Sequence, residues 1–378
     1  MSKEIQEEIY RNGDEWIDGI SQAIAKAQEY IYFESYIFNN DSTGRMVLDL
    51  LKQAAKRGVK VHVIVDGIGA PSWNAKKIAE LALEKVEMRV YHPPPWVLKE
   101  PWFIKYFQIR SLLEIFGRLN KRNHRKTLIV DGKLVIIGSI NVADCHLSRI
   151  SGSNSWRDTA VKVFNNDIQK ICKSFEYTWK YSWHGKWLWR LQLSEPLQLS
   201  EFFAIRGSFL SRMFYYRLIL KHVYKAKSKI YITNPYFVPH ARLLIALKNA
   251  ARRGVDVKVI VPMKIDIPIV KWASLSFYKE MLSSGIRIFE YKPHILHAKT
   301  MIIDEWAMVG SSNLNNRSFM HDLELDAFLH TEIAQKRLLD LFQDDLGQSQ
   351  EIKIKDLGKR NIFGKMLSYF AIALRYWL

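Results

Sequence analysis

The sequence has few cysteines, fewer acidic than basic residues, and no long apolar run. Its two cysteines, Cys145 and Cys172, are too few for a disulfide framework or a zinc site, and we expect both to be reduced. The first residues are polar and acidic, so no signal peptide is expected, and no clear stretch approaches the roughly 20 apolar residues that a membrane span requires. These absences predict a protein that is cytosolic or peripheral to a membrane.

The charge of the chain is strongly positive. Lysine and arginine number 56 against 38 acidic residues, which gives a formal net charge of +18. Such a charge predicts attraction to polyanions, but it does not distinguish a nucleic acid from an anionic bilayer. The chain also has 19 Phe, 17 Tyr and 12 Trp, and aromatic rings settle at the headgroup level of a bilayer. The combination favours a lipid interface.

One short stretch occurs twice. Residues 124 to 141 read HRKTLIVDGKLVIIGSIN, and residues 297 to 313 read HAKTMIIDEWAMVGSSN. A single His-x-Lys is most often a buried histidine beside a solvated lysine, but matched positions in both halves favour a functional site. The matched positions are His124, Lys126, Asp131, Gly138, Ser139 and Asn141 in the first copy, and His297, Lys299, Asp304, Gly310, Ser311 and Asn313 in the second.

The residue types in this motif suit chemistry on a phosphate ester. Histidine titrates near pH 6.5, so one imidazole can attack as a free base while a second, beside a better placed anion, stays protonated. Two histidines, two lysines and two asparagines at one point would form a cationic pocket for a phosphate, with no metal or other cofactor required. A short β-favouring run follows each His-x-Lys, and its alternation places Asp131 and Asp304 on the opposite face. We therefore expect the aspartates to support the site rather than to react.

The two motifs resemble the paired signature of the phospholipase D superfamily, and the resemblance extends over nearly the whole chain. Within it, the sequence is most similar to the bacterial cardiolipin synthases. This similarity rests on Trp-Arg-Asp at 156 to 158, Pro-Tyr-Phe-Val-Pro at 235 to 239, and Asn-Leu-Asn-Asn-Arg-Ser-Phe at 313 to 319. The resemblance implies an α/β fold with two similar fused α/β/α lobes and one active site at the lobe interface.

The same resemblance implies a role for each motif residue. It suggests His124 as the nucleophile and His297 as the acid, while the nearly symmetric sequence itself does not decide between them. It also suggests that Asp158 binds the non-reacting nitrogen of His124 and that Glu324 does so for His297, with an ordinary surface charge as the alternative for either acid. The expected catalytic set is His124, Lys126, Asp131, His297, Lys299 and Asp304, and the expected phosphate-supporting set is Ser139, Asn141, Ser311 and Asn313.

The two halves of the chain also match outside the motifs. AAKRGVKVHVIV at 54 to 65 aligns with AARRGVDVKVIV at 250 to 261, and each lies in a helix–strand alternation typical of a largely parallel sheet. Gly58 and Gly254 are expected to end the helices. The motif histidines are 173 residues apart whereas these stretches are offset by 196, so the first half holds about 23 additional residues, between about 93 and 121. We predict a first lobe at 1–195, a second at 196–350 and a tail at 351–378.

Three segments combine apolar and basic residues. The insertion at 93–121 is predicted to be an amphipathic element that docks on a bilayer, with a helix packed on the lobe as the alternative. The tail at 351–378 is predicted to be an interfacial helix, with a helix that closes the core of the second lobe as the alternative. Residues 208–227 form a basic, aromatic helix that faces either the core or the lipid.

The function that the resemblance implies is that of a cardiolipin synthase. One phosphatidylglycerol would form a phosphatidyl-histidine, and a second would accept the phosphatidyl group, giving cardiolipin and glycerol. The expected partner is an anionic phospholipid membrane, contacted on its cytoplasmic face, and no nucleic acid is expected. The alternatives are a phospholipase D hydrolase, a transphosphatidylase that uses another alcohol, a nuclease, and an inactive membrane-binding scaffold. The apolar insertion and tail speak against a nuclease, and the two intact motifs speak against a scaffold.

Overall fold

The computed structural model describes residues 5–94, 120–165, 167–183 and 195–357. Its strands are β1 (Gln6–Tyr10), β2 (Tyr30–Ser35), β3 (Lys60–Asp66), β4 (Val86–Tyr91), β5 (Thr127–Val130), β6 (Leu134–Gly138), β7 (Ala160–Phe164), β8 (Phe203–Arg206), β9 (Lys229–Thr233), β10 (Asp256–Pro262), β11 (Arg287–Tyr291), β12 (Thr300–Ile303), β13 (Trp306–Gly310), β14 (Glu324–Leu329) and β15 (Ser349–Ile352). Its α-helices are α1 (Gly13–Lys26), α2 (Ser42–Lys56), α3 (Ala75–Leu83), α4 (Ser148–Ser151), α5 (Ile168–Tyr181), α6 (Phe209–Lys225), α7 (Ala241–Arg252), α8 (Pro268–Leu282), α9 (Asn316–Met320), α10 (Glu332–Gly347) and α11 (Ile354–Leu357).

The strands form two sheets of matching design. The first has the order β1-β7-β6-β5-β2-β3-β4, and the second has the order β15-β11-β10-β9-β12-β13-β14-β8. The run β7-β6-β5-β2-β3-β4 of the first sheet corresponds to β14-β13-β12-β9-β10-β11 of the second. The expectation of two similar α/β lobes is therefore confirmed.

The prediction of a largely parallel sheet is wrong, because antiparallel strand pairs outnumber parallel pairs in both sheets. Among the described strands, pairing is parallel within β2-β3-β4 and within β9-β10-β11, and antiparallel elsewhere. The parallel strands are those joined through helices, as the sequence alternation indicated. Each motif instead forms a hairpin, β5-β6 or β12-β13, and a connection of a few residues can join only antiparallel neighbours.

The helix ends follow the local sequence. Asp41 precedes α2, and its side chain accepts a hydrogen bond from the backbone N–H of Gly44, which satisfies one of the free donors of the first turn. After α2 and α7 the chain turns at Gly58 and Gly254, whose φ angles of 95° and 91° are in the region that glycine adopts without strain. The predicted helix-ending role of both glycines is confirmed.

The two sheets pack face to face through one buried apolar cluster. Ile129 and Ile137 of the first sheet belong to the same cluster as Ile302 and Val309 of the second, and α5 and α10 complete it. Helices α1 to α3 cover the outer face of the first sheet, and α6 to α8 cover that of the second. This packing fixes the two lobes against each other, so groups at the ends of β5 and β12 can meet at the interface.

Helix α6, the basic and aromatic helix of residues 208–227, has two different faces. Tyr215, Ile219 and Val223 are buried against the second sheet, whereas Phe209 and Leu210 are exposed. The core-facing alternative therefore holds for one face of this helix, and the lipid-facing alternative stays a prediction for the exposed face.

Most of the insertion and most of the tail, residues 95–119 and 358–378, lie outside the described residues, so the predictions made for them stay predictions. The domain limits 1–195, 196–350 and 351–378 likewise remain our proposal, and the second sheet itself takes strands from Phe203 to Ile352. Among the helices that the structure describes, none combines the length and apolar character needed to cross a bilayer.

Candidate active site

The first motif histidine lies on a segment that pairs with the second lobe. Asn123 forms a parallel bridge with Leu323, and the backbone N–H of His124 donates to the carbonyl oxygen of Leu323 at 2.9 Å. The next residue of the second lobe is Glu324, whose two carboxylate oxygens lie 3.2 and 3.1 Å from His124 Nδ1. The carbonyl oxygen of Ser311, also in the second lobe, lies 3.1 Å from the same nitrogen. His124 is therefore oriented by the opposite lobe.

The second motif histidine repeats this arrangement in reverse. Leu296 forms a parallel bridge with Arg157, and the backbone N–H of His297 donates to the carbonyl oxygen of Arg157 at 2.8 Å. Both carboxylate oxygens of Asp158 lie 3.2 Å from His297 Nδ1. The two pairs are thus related by the internal duplication of the chain.

These contacts correct the pairing expected from the sequence, which assigned Asp158 to His124 and Glu324 to His297. The reason is the order of the strands. Asp158 lies just before β7, and β6 separates β7 from β5, the strand that follows His124. Within one lobe the two groups are therefore kept apart by a strand, whereas the bridges across the lobe interface place each histidine beside the other lobe's carboxylate.

Both histidines are buried, and burial is the largest of the effects that lower their pKa values and so favour the neutral rings. Burial and the neighbouring Lys126 lower the pKa of His124 to about 3, although Glu324 opposes the change. Burial and Lys299 lower the pKa of His297 to about 4 in the same way. With Nδ1–H directed at a carboxylate, each neutral ring keeps its lone pair on Nε2. The expected protonated histidine thus requires a further negative charge, which a bound phosphodiester would supply.

The motif lysines point into the same buried region. Lys126 Nζ donates to the carbonyl oxygen of His124 at 2.7 Å and lies 5.1 Å from the centre of the Tyr36 ring. Lys299 Nζ donates to the carbonyl oxygen of His297 at 2.7 Å and lies 3.0 Å from its Nε2. Burial lowers the pKa of both ammonium groups, and Lys299 lowers that of Lys126 further. Two amines that oppose each other's charge form a site that a phosphate anion would stabilise.

The motif serines bind the two carboxylates. Ser139 Oγ donates to Asp158, and Ser311 Oγ donates to Glu324 Oε2 at 2.5 Å. Ser318 adds a second hydroxyl to Glu324, at 2.6 Å from Oε1. Burial alone would raise the pKa of Glu324, but His124 and the surrounding hydrogen bonds and cations lower it to about 2. The serines predicted to support a phosphate therefore act on the groups that orient the histidines.

The motif asparagines differ from each other. Asn141 Oδ1 accepts a hydrogen bond of 3.2 Å from the backbone N–H of Ile37, which fixes the loop after β2. Asn313 is only 6% exposed, and its Oδ1 has no hydrogen-bond partner within the described part of the chain. A buried amide without a partner is costly unless a ligand completes its hydrogen bonds. Asn313 is therefore the asparagine that is better placed to contact a substrate.

The motif aspartates lie at the far ends of β5 and β12, away from the histidines. Asp131 and Asp304 both have positive φ angles, 51° and 49°, and each begins the tight turn of its hairpin. The carboxylate of each accepts hydrogen bonds from three consecutive backbone N–H groups. These are the groups of Gln28, Glu29 and Tyr30 for Asp131, and of Lys227, Ser228 and Lys229 for Asp304. The structure gives both aspartates a structural role at the hairpin turns and does not bring them together with the reactive groups, so it does not support their place in the expected catalytic set.

Sequence reasoning missed His146, which the structure places in the site. This buried residue lies in a short 3-10 turn, and its Nδ1 is 2.8 Å from Asp158 Oδ2. Its ring centre is 6.0 Å from that of His297. Burial would lower the pKa of His146, but Asp158 raises it to about 9. The raised pKa favours the protonated form of His146, which lies beside the same carboxylate as His297. The sequence signal for this residue was only a titratable side chain between the first motif and Trp156.

Comparisons with known proteins follow the same two-lobe division. A family model described as a cardiolipin synthase, phospholipase D-like domain matches residues 20–179 and 219–346. A cardiolipin synthase of Staphylococcus aureus (strain Mu50 / ATCC 700699) is 30% identical over 374 residues, which cover 94% of this chain and 70% of that protein. A probable cardiolipin synthase, YwiE, of Bacillus subtilis (strain 168) is 30% identical over 371 residues, which cover 96% and 70%.

A solved structure shares the fold over almost its full length. The crystal structure of a phosphatidylserine synthase of Haemophilus influenzae Rd KW20 superposes with a TM-score of 0.72 at 14% identity, and the match covers 99% of this chain and 95% of that one. A polyphosphate kinase of Porphyromonas gingivalis superposes with a TM-score of 0.59 at 12% identity, over 90% of this chain and 50% of that one. At such identities the likeness concerns the fold alone.

Proposed function

We propose that this protein, which belongs to the cardiolipin synthase family of the phospholipase D superfamily, condenses two phosphatidylglycerol molecules into cardiolipin and glycerol. Its family makes it a phosphatidyltransferase that acts on phospholipid. The observation that carries this proposal is the pair of buried histidines, each backed by a carboxylate of the opposite lobe and accompanied by a buried lysine. Such a pair can divide phosphoryl transfer into two steps, because one ring attacks while the other moves the proton.

In the first step, Nε2 of one histidine attacks the phosphorus of a phosphatidylglycerol. The N–P bond forms while the bond from phosphorus to the headgroup glycerol oxygen breaks, and that oxygen takes a proton from the second histidine. The anionic phosphodiester favours the protonated form of this second ring, which burial otherwise suppresses. The products are a phosphatidyl-histidine, free glycerol and a neutral second histidine.

In the second step, a second phosphatidylglycerol takes the place of the glycerol. The neutral histidine removes the proton of a headgroup hydroxyl, whose oxygen attacks the phosphorus as the N–P bond breaks. Cardiolipin is released, the attacking histidine regains its lone pair, and the other regains its proton. Charge and atoms return to the starting state, so no cofactor is consumed.

The surrounding groups stabilise the charges that appear in both steps. The ammonium groups of the buried Lys126 and Lys299 would bind the non-bridging phosphate oxygens, and the unpartnered Oδ1 of Asn313 could accept a hydrogen bond from a substrate hydroxyl. Glu324 and Asp158 stabilise the positive charge that develops on His124 and His297. The serines hold these carboxylates in place and thus act on the reaction through them.

We assign His124 as the nucleophile and His297 as the acid, following the family resemblance. The test is to trap the intermediate from a labelled phosphatidylglycerol, quench in alkaline denaturant and map the labelled peptide. A label on the peptide that contains His124 supports the assignment. A label on the peptide that contains His297 would reverse it.

We further propose that the protein acts peripherally on the cytoplasmic face of an anionic phospholipid membrane. The net charge of +18 supports this, since a polybasic surface is attracted to anionic lipid. Phosphatidylglycerol is itself anionic, so the same charge favours both the substrate and the surface in which it lies.

The experiment that tests the function uses purified protein and phosphatidylglycerol in mixed micelles, with the lipid products identified by mass spectrometry. We expect cardiolipin and an equal amount of glycerol, and neither product with His124→Ala or His297→Ala. Phosphatidic acid without cardiolipin would instead make the protein a hydrolase, since water would then be the acceptor. Equal cardiolipin formation by either variant would refute the two-histidine mechanism.

A further inference from the structure

An apolar groove with a basic edge lies beside α6 and α9 in the second lobe. Its volume is about 360 Å³, and its apolar lining includes Phe209, Phe319 and Met320. Arg212, Arg217 and Arg242 also line it, and no acidic residue does so in the part of the chain that the structure describes. A groove that is apolar inside and cationic at its edge fits an anionic amphiphile.

The groove shares a wall with the active site. In the second sheet, Arg206 at the end of β8 is directly opposite Glu324, and α6 begins three residues later at Phe209. On the other side, α9 includes Ser318, whose hydroxyl donates to Glu324 at 2.6 Å, and the adjacent Phe319 lines the groove. A molecule in the groove would therefore lie at the active-site end of this lobe.

Arg212 is a buried cation whose hydrogen bonds are incomplete. It is 9% exposed, and its Nε and Nη1 atoms have no hydrogen-bond partner among the described residues. Burial and the nearby Arg206 lower its pKa, and Tyr91, Asp322 and Glu195 oppose this change only in part. A guanidinium in this state is costly to hold without an anion, and phosphate oxygens match its planar donors. The residue therefore points to a ligand with an anionic oxygen group.

The exposed residues around the groove favour an amphiphile over a free anion. Phe209 is 57% exposed and Met320 is 42% exposed at the groove, and the adjacent Leu210 is 60% exposed. Arg217 and Arg242 are exposed as well. A soluble phosphate would gain nothing from exposed apolar side chains, whereas a lipid brings an acyl region to them and a phosphate to the arginines.

We propose that this groove binds one anionic phospholipid of the bilayer, with its phosphate against Arg212, Arg217 and Arg242 and its glycerol and upper acyl region on Phe209, Phe319 and Met320. The proposal rests on the proposed function in one respect, since that reaction requires the active site to meet a phospholipid surface. The bound lipid would hold the active-site end of the second lobe against the bilayer.

The test compares two double variants that remove the same charge from different positions along the same two helices, α6 and α7. Arg217→Gln with Arg242→Gln removes the groove edge, and Lys225→Gln with Arg252→Gln serves as the control. Each control residue is exposed and lies about 12 or 15 Å farther along its helix. Binding is measured by co-sedimentation with vesicles of phosphatidylglycerol and phosphatidylcholine, and with vesicles of phosphatidylcholine alone.

We expect the groove variant to bind the phosphatidylglycerol vesicles about 25-fold more weakly than the unaltered protein, because each of the two basic groups near an anionic surface contributes about fivefold. The control variant should bind within about twofold of the unaltered protein, since screening weakens charges farther from the surface. Equal losses in both variants would show attraction to overall charge only and would overturn the proposal. No loss in either variant would overturn it too.

A second pair of variants tests the apolar part of the groove. Phe209→Ser with Met320→Ser should weaken binding to the same vesicles, whereas Leu83→Ser with Ile333→Ser should not, although Leu83 and Ile333 are 86% and 82% exposed. All four residues are exposed, and matching thermal unfolding would establish that the variants are folded. If the two pairs behave alike, the proposed apolar contact is refuted.

Two further measurements separate the ligand sources and the two proposals. Inorganic phosphate, added at constant ionic strength, should not release the protein from the vesicles. Such release would show that the arginines bind free phosphate and would overturn the lipid assignment. Vesicle binding requires no turnover, so failure to form cardiolipin would refute the proposed function without changing this result. Intact synthesis with unchanged vesicle binding by the groove variant would refute only the groove.

Discussion

Glu324 of the second lobe lies 3.1 Å from Nδ1 of His124 in the first lobe. The reciprocal contact joins Asp158 of the first lobe to His297 of the second. Neither lobe therefore supplies the carboxylate that contacts its own motif histidine. Packing of the two sheets against each other is a condition for the chemistry, and this explains why the interface core is continuous between the lobes.

The crossed pairing predicts which residues are energetically coupled. Removing the charge of Glu324 should change the effect of replacing His124, because the two groups are in contact. The free energy of unfolding of Glu324→Gln, His124→Gln and the double variant should give a coupling of about 0.5 to 3 kcal/mol.

The control for this double-mutant comparison replaces Glu324→Gln by Asp158→Asn, again combined with His124→Gln. These groups do not contact each other, so their effects should add to within about 0.5 kcal/mol. The reverse pattern, with coupling to Asp158 and additivity with Glu324, would restore the within-lobe pairing that the sequence alone suggested.

His146 predicts an asymmetry between the two otherwise similar histidines. Asp158 divides its charge between His146 and His297, whereas Glu324 receives neutral hydroxyls from Ser311 and Ser318. Replacing His146 by Phe removes a cation from the carboxylate, so the pKa of His297 should rise. The limb of the pH profile of kcat/KM that His297 sets should move to higher pH by about one unit.

Two variants control for a merely structural effect at this position. His146→Gln removes the charge but stays polar, and it should give a shift in the same direction. Ser318→Ala removes a hydroxyl from the other carboxylate and should leave this limb in place. A folded His146→Phe protein with an unchanged profile would mean that His146 has no influence on His297.

Local sequence was sufficient for the parts of the fold that depend on neighbouring residues. The β-favouring runs after each His-x-Lys form β5 and β12 as predicted, and Gly58 and Gly254 end their helices as expected. The pairing of Glu324 with His124 could not be read in this way, because it depends on a bridge between segments 200 residues apart. His146 was missed for the same reason, since only the folded chain places it beside Asp158.

The buried histidines also predict how stability depends on acid. The pKa values of His124 and His297 are lowered in the folded protein, so the unfolded chain binds protons first as the pH falls. Their contribution is complete above about pH 6.5 and is lost as the pH falls toward about 4 and 3. Glu324, whose pKa is lowered to about 2, adds a loss below its usual value of 4.5.

His146 has the opposite dependence, because its pKa is raised to about 9. Its contribution is complete below about pH 6.5 and is lost as the pH rises through about 9. Thermal unfolding between pH 4 and pH 10 should therefore show a falling Tm at both extremes. His124→Gln and His297→Gln should flatten the acid side, and His146→Gln should flatten the alkaline side. An unaltered slope in these variants would contradict the assignment of the groups.

The last prediction separates structural from reacting residues within the motif. Asp304 accepts hydrogen bonds from three consecutive backbone N–H groups and from Ser228 Oγ, and these contacts hold its pKa below the usual range against the opposing effect of burial. Asparagine tolerates the positive φ of this position but replaces one acceptor oxygen with a donor. Asp304→Asn should therefore destabilise the protein by about 1 to 3 kcal/mol.

The activity of folded Asp304→Asn should remain close to that of the unaltered protein, because its side chain lies at the end of β12 remote from His297. Lys299→Met should do the reverse and reduce kcat by about 100-fold or more, since it removes a charge aimed at the phosphate. Measuring Tm and kcat for both variants distinguishes the structural role of Asp304 from the reacting role of Lys299. A kcat loss for Asp304→Asn as large as that for Lys299→Met would make the aspartate part of the reacting group, and the hairpin turn would then have to change its position when substrate binds.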